Sequence, residues 1–200
     1  MEATQIYSSP QIESVYLEQR KVFLWGEVND SSARYLIDRF LYLEAVDPTR
    51  PISLYIHSPG GSTYAGLAIL DVMNSVRPPV YTTCLGMAMS FGAVLLLCGD
   101  KGNRSAYPHS KILIHQPHVM GEFKGPAEDI RIFAESVKRE KDLLNEIMAN
   151  ATGQPLDRIV QDTDRDSWFS AKEALKYGMI DKILGAGIEE KESSIDFKER

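Results

Sequence analysis

The chain has 200 residues, 44% of them hydrophobic and 25% charged, and a formal net charge of −6 at pH 7. That composition predicts one domain over 1–200 with a sizeable core, and an acidic balance with no segment of clustered lysine and arginine speaks against a nucleic-acid partner. The two cysteines, Cys84 and Cys98, lie in apolar runs, which excludes a disulfide framework, fits a reducing, cytoplasmic setting and offers no spacing for a structural zinc site.

Residues 1–19 are polar and mixed, with a short amphipathic segment over 12–17. The opening Met1-Glu2-Ala3-Thr4-Gln5 has neither the basic region nor the apolar core of a signal peptide. A strand is predicted over 21–26. Asn29 or Asp30 caps the next helix, where Ala33, Leu36, Ile37, Phe40, Leu41 and Leu43 recur at helical spacing; Asp47-Pro48 ends it. A buried strand over 52–57 leads into the tight turn Ser58-Pro59-Gly60-Gly61-Ser62. A helix over 64–76 then stops at Arg77-Pro78-Pro79.

The pattern repeats with a strand over 80–84, a glycine-containing turn, an apolar helix over 90–98, and short strands over 105–107 and 111–114. This rhythm predicts a βαβ core with a mostly parallel sheet. The apolar stretch 85–98 is too short for a membrane span and is interrupted by Ser90 and two glycines, so no membrane partner is expected. Being apolar on most faces, its helix belongs at the centre of the molecule.

The second half differs. Gly121 and Gly125 punctuate 118–126, and a long helix follows over 128–149. Ile130, Phe133, Val137, Lys141, Leu144 and Met148 trace one stripe on it, extended by Ile147. Such a helix needs a surface to bury against, and in a small domain another subunit can supply it. A short helical piece is predicted over 155–159. Ser170 and Glu173 form a capping pair for a helix that runs to Tyr177 and stops at Gly178. An apolar segment over 180–184 precedes a polar tail, 185–200, expected to fray.

The chemistry centres on Ser90, in Gly86-Met87-Ala88-Met89-Ser90-Phe91-Gly92-Ala93. A lone hydroxyl among small residues at a strand-to-helix junction is presented beside free backbone N–H groups and a favourable helix dipole. A plain capping or packing serine fits the same pattern. Of the four histidines, His115 leaves an apolar strand and can face a cleft. His57, also at a strand end, competes for the role of base, whereas His109 and His118 read as loop residues. Acids are plentiful: Asp162, Asp164 and Asp166 alternate before Trp168-Phe169, and Asp166, nearest that apolar pair, is expected to be partly buried. The offsets do not fit a calcium-binding EF-hand loop. The glycine turn lacks the lysine of a phosphate-binding loop. It suits an oxyanion site built from the amides of Gly61 and Phe91.

Taken together, Ser58-Pro59-Gly60-Gly61, the Gly86–Ala93 segment, Ile114-His115-Gln116-Pro117, Asp162-Thr163-Asp164-Arg165-Asp166 and the following Phe169-Ser170-Ala171 resemble the proteolytic subunit of the Clp ATP-dependent serine protease, over about residues 12 to 184. The resemblance implies an α/β crotonase-like ββα superhelix with a protruding handle helix, a single domain with an N-terminal axial segment (1–19), a peptide-binding strand and handle (about 118–150) and a flexible tail (185–200). It implies Ser90 as nucleophile, His115 as general base, Asp166 as orienting acid, Gly61 and Phe91 as oxyanion donors, and Asp164 and Arg165 as residues coupling the site to ring–ring contact. Gly121 to Gly125 matches the segment that binds extended peptide, and His57 falls where the family commonly has asparagine. No metal or cofactor is implied in this subunit; ATP is used by a partner AAA+ unfoldase that feeds unfolded polypeptide into two stacked heptameric rings. Two ring compositions fit: this chain alone, or a mixed ring shared with a paralogous subunit. Ser53, the short N-terminal segment, the tail and a loop two residues longer after His115 depart from the family pattern. Two other roles share these residues: a noncatalytic ring subunit, and an acyl-CoA enzyme of the same fold in which Ser90 is dispensable.

Overall fold

The computed structural model describes residues 9–118 and 124–185. Seven strands form one sheet: β1 (Lys21–Trp25), β2 (Ile52–Ser58), β3 (Val80–Met89), β4 (Arg104–Ala106), β5 (Lys111–Ile114), β6 (Ser167–Ser170) and β7 (Lys182–Ile183). β1, β2, β3, β4 and β7 lie side by side in that order, and β5 and β6 branch from β3. All pairings are parallel except that of β5 with β6, in line with the strand–helix rhythm.

The helices are α1 (Pro10–Glu18), α2 (Asp30–Val46), α3 (Thr63–Ser75), α4 (Phe91–Leu97), α5 (Ala127–Thr152), α6 (Leu156–Thr163) and α7 (Ala171–Tyr177). α2 is capped by Asn29, not Asp30: the Asn29 side chain accepts the Ser32 N–H while the Ser32 hydroxyl accepts the Asn29 N–H, so two of the helix's orphan donors are satisfied. Ser170 and Glu173 do the same for α7, which ends with Gly178 in the left-handed conformation. α2 buries Ala33, Leu36, Phe40 and Leu43 in the core. Every residue of α4 is buried, the outcome its all-apolar surface predicts. Among the described residues, no helix is long and apolar enough to cross a membrane.

Two expectations need correction. The turn predicted after Cys84 is absent. β3 instead runs ten residues, on through Gly86 to Met89. Gly86 sits at φ +71, which a residue without Cβ adopts at no steric cost, and there the strand changes partner. Thr82–Cys84 pair with β4, whereas Met87–Met89 pair with β5; the register with β2 shifts at the same level, between Ile56 and Ser58. β6 was also not foreseen, because its two apolar residues, Trp168 and Phe169, are adjacent between two serines and neither alternate nor form an apolar run.

The long helix α5 spans 26 residues, but its buried residues, Leu144, Asn145 and Met148, all lie in its C-terminal half. Residues 1–8 of the predicted axial segment, 119–123 of the predicted peptide-binding segment, and the tail from 186 onward lie outside the described residues.

Candidate active site

Strand register brings the site together. Met89, the last residue of β3, pairs with Leu113 of β5, and Ile114, the last of β5, pairs with Ser167 of β6. One step beyond these pairs, Ser90 leaves β3 beside the end of β5, and His115 comes opposite Asp166. Three neighbouring strands thus deliver a hydroxyl, an imidazole and a carboxylate to one end of the sheet, the end from which open α/β folds work.

Ser90 itself is held at φ +53 and ψ −124, one of two non-glycine residues with positive φ among those described. Its N–H donates to the Leu113 carbonyl at 2.9 Å, and its carbonyl accepts from Ala93 and Val94 in the first turn of α4. Its hydroxyl makes no capping hydrogen bond, which removes the plain-cap reading. Gly60, at φ +91, lies directly against it: a Cβ there would stand 2.5 Å from Ser90 Cβ and 2.7 Å from the Met89 carbonyl. Gly66 of α3 has a similar function one layer down, since its missing Cβ is replaced by the Phe91 ring.

His115 Nδ1 approaches Asp166 Oδ1 to 3.3 Å. The ring is largely buried, its side chain 14% exposed, whereas Asp166 is 56% exposed, contrary to the partial burial expected from its neighbours Trp168 and Phe169. Trp168 is itself exposed, so in the single chain that apolar pair does not cover the acid. The Nδ1–H is not aligned on the carboxylate, and this buried nitrogen has no hydrogen-bond partner. Burial lowers the His115 pKa below the ordinary 6.5, the nearby His118 ring pushes it the same way, and the Asp166 charge offsets part of the shift. The imidazole is therefore neutral at neutral pH and free to take a proton. No hydrogen bond joins Ser90 Oγ to His115 among the described residues; in unliganded sites such bonds are often loose and tighten when substrate binds.

Among the described residues, the amides of Gly61 and Phe91 donate no backbone hydrogen bond. Val28 bridges the glycine turn by donating to the Gly60 carbonyl and accepting from Ser62 N–H, so neither bond uses the Gly61 amide. Phe91 is the first residue of α4, and its N–H has no acceptor within the helix.

The other sequence candidates fall elsewhere. His57 stacks on Trp25 at 4.4 Å between ring centroids, and its Nδ1–H donates to the Leu85 carbonyl at 2.7 Å. Burial pushes the Cys84 thiol up to about 11 and the Cys98 thiol up to about 12, so neither is a thiolate nucleophile. Asp162 accepts from Arg158 and Tyr177. Asp164 and Arg165 pair with each other at 3.0 Å on the surface, and Lys141 of α5 reaches Asp164 at 3.8 Å. Gln116, next to His115, ties this group together: it donates to the Asp164 carbonyl and accepts from Lys141. Sequence reasoning passed over His118, whose ring stands edge-on to His115 at 4.3 Å; its three-residue distance from His115 along an irregular segment gave no periodic signal.

Compared with known families, residues 4–187 match the Clp protease family model, nearly the whole of this chain.

Proposed function

The chain belongs to the Clp protease family and is a Clp-type serine endopeptidase, and we propose that it cuts unfolded polypeptides with Ser90 as nucleophile, His115 as general base and Asp166 as the acid that orients His115. The observation that carries the residue assignment is the 3.3 Å approach of His115 Nδ1 to Asp166 Oδ1 at the strand ends beside Ser90. Asp166 selects the tautomer with the proton on Nδ1, leaving Nε2 to accept the Ser90 proton. Ser90 Oγ attacks the scissile carbonyl, and the leaving amine takes that proton from His115. The Gly61 and Phe91 amides receive the oxyanion; loss of one such donor typically costs about 3 kcal/mol of transition-state stabilisation. Water activated by His115 then hydrolyses the acyl-enzyme.

Within this reading the chain is one domain with the ββα superhelix of the crotonase-like folds, working in the cytoplasm, and α5 is the handle that joins two heptameric rings. Asp164 and Arg165, exposed beside Lys141 of that helix, couple the site to ring–ring contact. Extended substrate pairs as an added strand along Gly121 to Gly125, a segment of which 121–123 lie outside the described residues. An AAA+ unfoldase spends the ATP, and this subunit needs no cofactor. The ring is built of this chain alone or shared with a paralogous subunit.

A fluorophosphonate probe on the purified, assembled chain tests the assignment. Labelling and small-peptide hydrolysis are both expected to vanish in Ser90→Ala at unchanged native mass. Hydrolysis that persists in that variant overturns the nucleophile assignment.

A further inference from the structure

His115, His118 and Asp166 each offer one metal-binding atom, and the three atoms all lie within 4.8 Å of one another. From this juxtaposition we propose that the trio is a zinc site, and that Zn²⁺ bound there holds the peptidase inactive. The inhibitory half rests on the function proposed above; the binding half does not.

Two imidazoles and one carboxylate, with a fourth position left for water, is a donor set that zinc takes readily. A tetrahedral zinc with metal–ligand bonds near 2.0–2.1 Å separates its ligand atoms by about 3.3 Å. His115 Nδ1 and Asp166 Oδ1 already stand at that edge length, 3.3 Å apart. That nitrogen is buried and has no hydrogen-bond partner, a condition a metal bond relieves. His118 has to close the remaining gap, from at most 4.8 Å, and its exposure leaves its side chain unpacked on the solvent side. The two histidine rings are nearly perpendicular, at 84°; they do not stack face to face.

Inhibition follows from the atom that is bound. Zinc on Nδ1 fixes the remaining ring proton on Nε2, the nitrogen that must accept the Ser90 proton. It also draws Asp166 away from its orienting role. One ion thereby disables base and acid together, without touching Ser90.

The test is titration calorimetry with ZnCl₂ on the full assembled chain, with peptide hydrolysis followed in parallel and referred to each protein's own metal-free rate. The expected result is one ion per chain, with hydrolysis falling as the site fills and recovering on chelation. His118→Ala, a change at an exposed position, is expected to weaken zinc binding and zinc inhibition by more than the 10–100-fold (roughly) that loss of a merely supporting partner costs. Ser90→Ala is expected to bind zinc as the wild type does. Absence of stoichiometric binding in the wild type, or zinc affinity unchanged in His118→Ala, overturns the proposal. Failure of the peptidase assignment shows separately, as hydrolysis that survives in Ser90→Ala.

Discussion

Ser90 keeps a backbone conformation, φ +53 with ψ −124, that costs a non-glycine residue about 1–3 kcal/mol and persists only where the surroundings enforce it. Part of that enforcement is Gly60. The atoms a Cβ at Gly60 would strike, Ser90 Cβ at 2.5 Å and the Met89 carbonyl at 2.7 Å, are fixed to the backbone and cannot rotate away. Gly60→Ala is therefore expected to lose more than about 2 kcal/mol in urea denaturation and most of the peptide hydrolysis, because Ser90 must shift. Gly102 is the control: its φ is +90, but a Cβ would meet nothing within 4 Å. Gly102→Ala is expected to cost only the backbone strain, about 1 kcal/mol, and to leave hydrolysis intact. Equal loss of hydrolysis in both variants would mean that Gly60 acts through general stability and not through Ser90. Ser90, Gly60 and Gly61 were legible in the sequence because small residues at a strand end leave a compositional trace. The choice of Asp166 among the acids came from family resemblance, and the burial argument offered for it failed. The nearness of His118 to His115 leaves no trace in sequence, since it depends on the path of a segment without periodicity.

Among the elements, Arg104 of β4 fastens three at once. Its guanidinium donates to Asp181 through Nε and Nη2, and through Nη1 to the Leu97 carbonyl at the end of α4 and the Ala151 carbonyl near the end of α5. The arginine side chain is 3% exposed and the carboxylate 18%. Removing the cation strands two helix-end carbonyls and a half-buried carboxylate, so Arg104→Met is expected to cost about 3 kcal/mol in denaturant unfolding. The Asp181 carboxyl, held mainly by the hydrogen bond from Arg104, has its pKa pulled from 3.8 to about 2. A folded pKa below the unfolded one means stability that is fully present above pH 3.8 and lost as pH falls through about 2. The gap is worth about 2 kcal/mol. Asp181→Asn is expected to lack this acid-dependent portion, so unfolding midpoints measured between pH 5 and pH 2 should converge for the two proteins. Midpoints that stay parallel would remove the pair from the acid response. The capped helices α2 and α7 were readable because their end signals are local. The passage of β3 through Gly86 was not, because a glycine bending a strand and a glycine ending one look alike until the partner strands are known.

For the molecule as a whole, the outstanding fact is a long helix that is buried only over its C-terminal half. α5 has 26 residues, about 39 Å at 1.5 Å per residue, yet only its C-terminal half reaches the core. Ile130 and Ile132 remain 46% and 50% exposed. Most helix stability in proteins comes from packing an apolar face, because isolated turns are marginal in water. The first turns of α5 thus carry apolar side chains that the described residues leave exposed, Ile130 and Ile132 on opposite sides of the helix. Surface pairs of Arg131 with Glu128 and Glu135 add little at such exposure. If these turns are enclosed by a second ring, charge placed on either side of them acts on assembly and not on the chain's own fold. The double variant I130E/I132E is expected to unfold within about 0.5 kcal/mol of wild type, as surface changes usually do, while native mass falls from a fourteen-subunit species to seven. Met148→Glu, at a position 3% exposed, is expected to do the reverse and unfold the chain, because it forces a charge into the core. A fourteen-subunit mass retained by I130E/I132E would show that the first turns of α5 are not where two rings meet, and Leu143, 43% exposed on the same helix, would be the next position to charge.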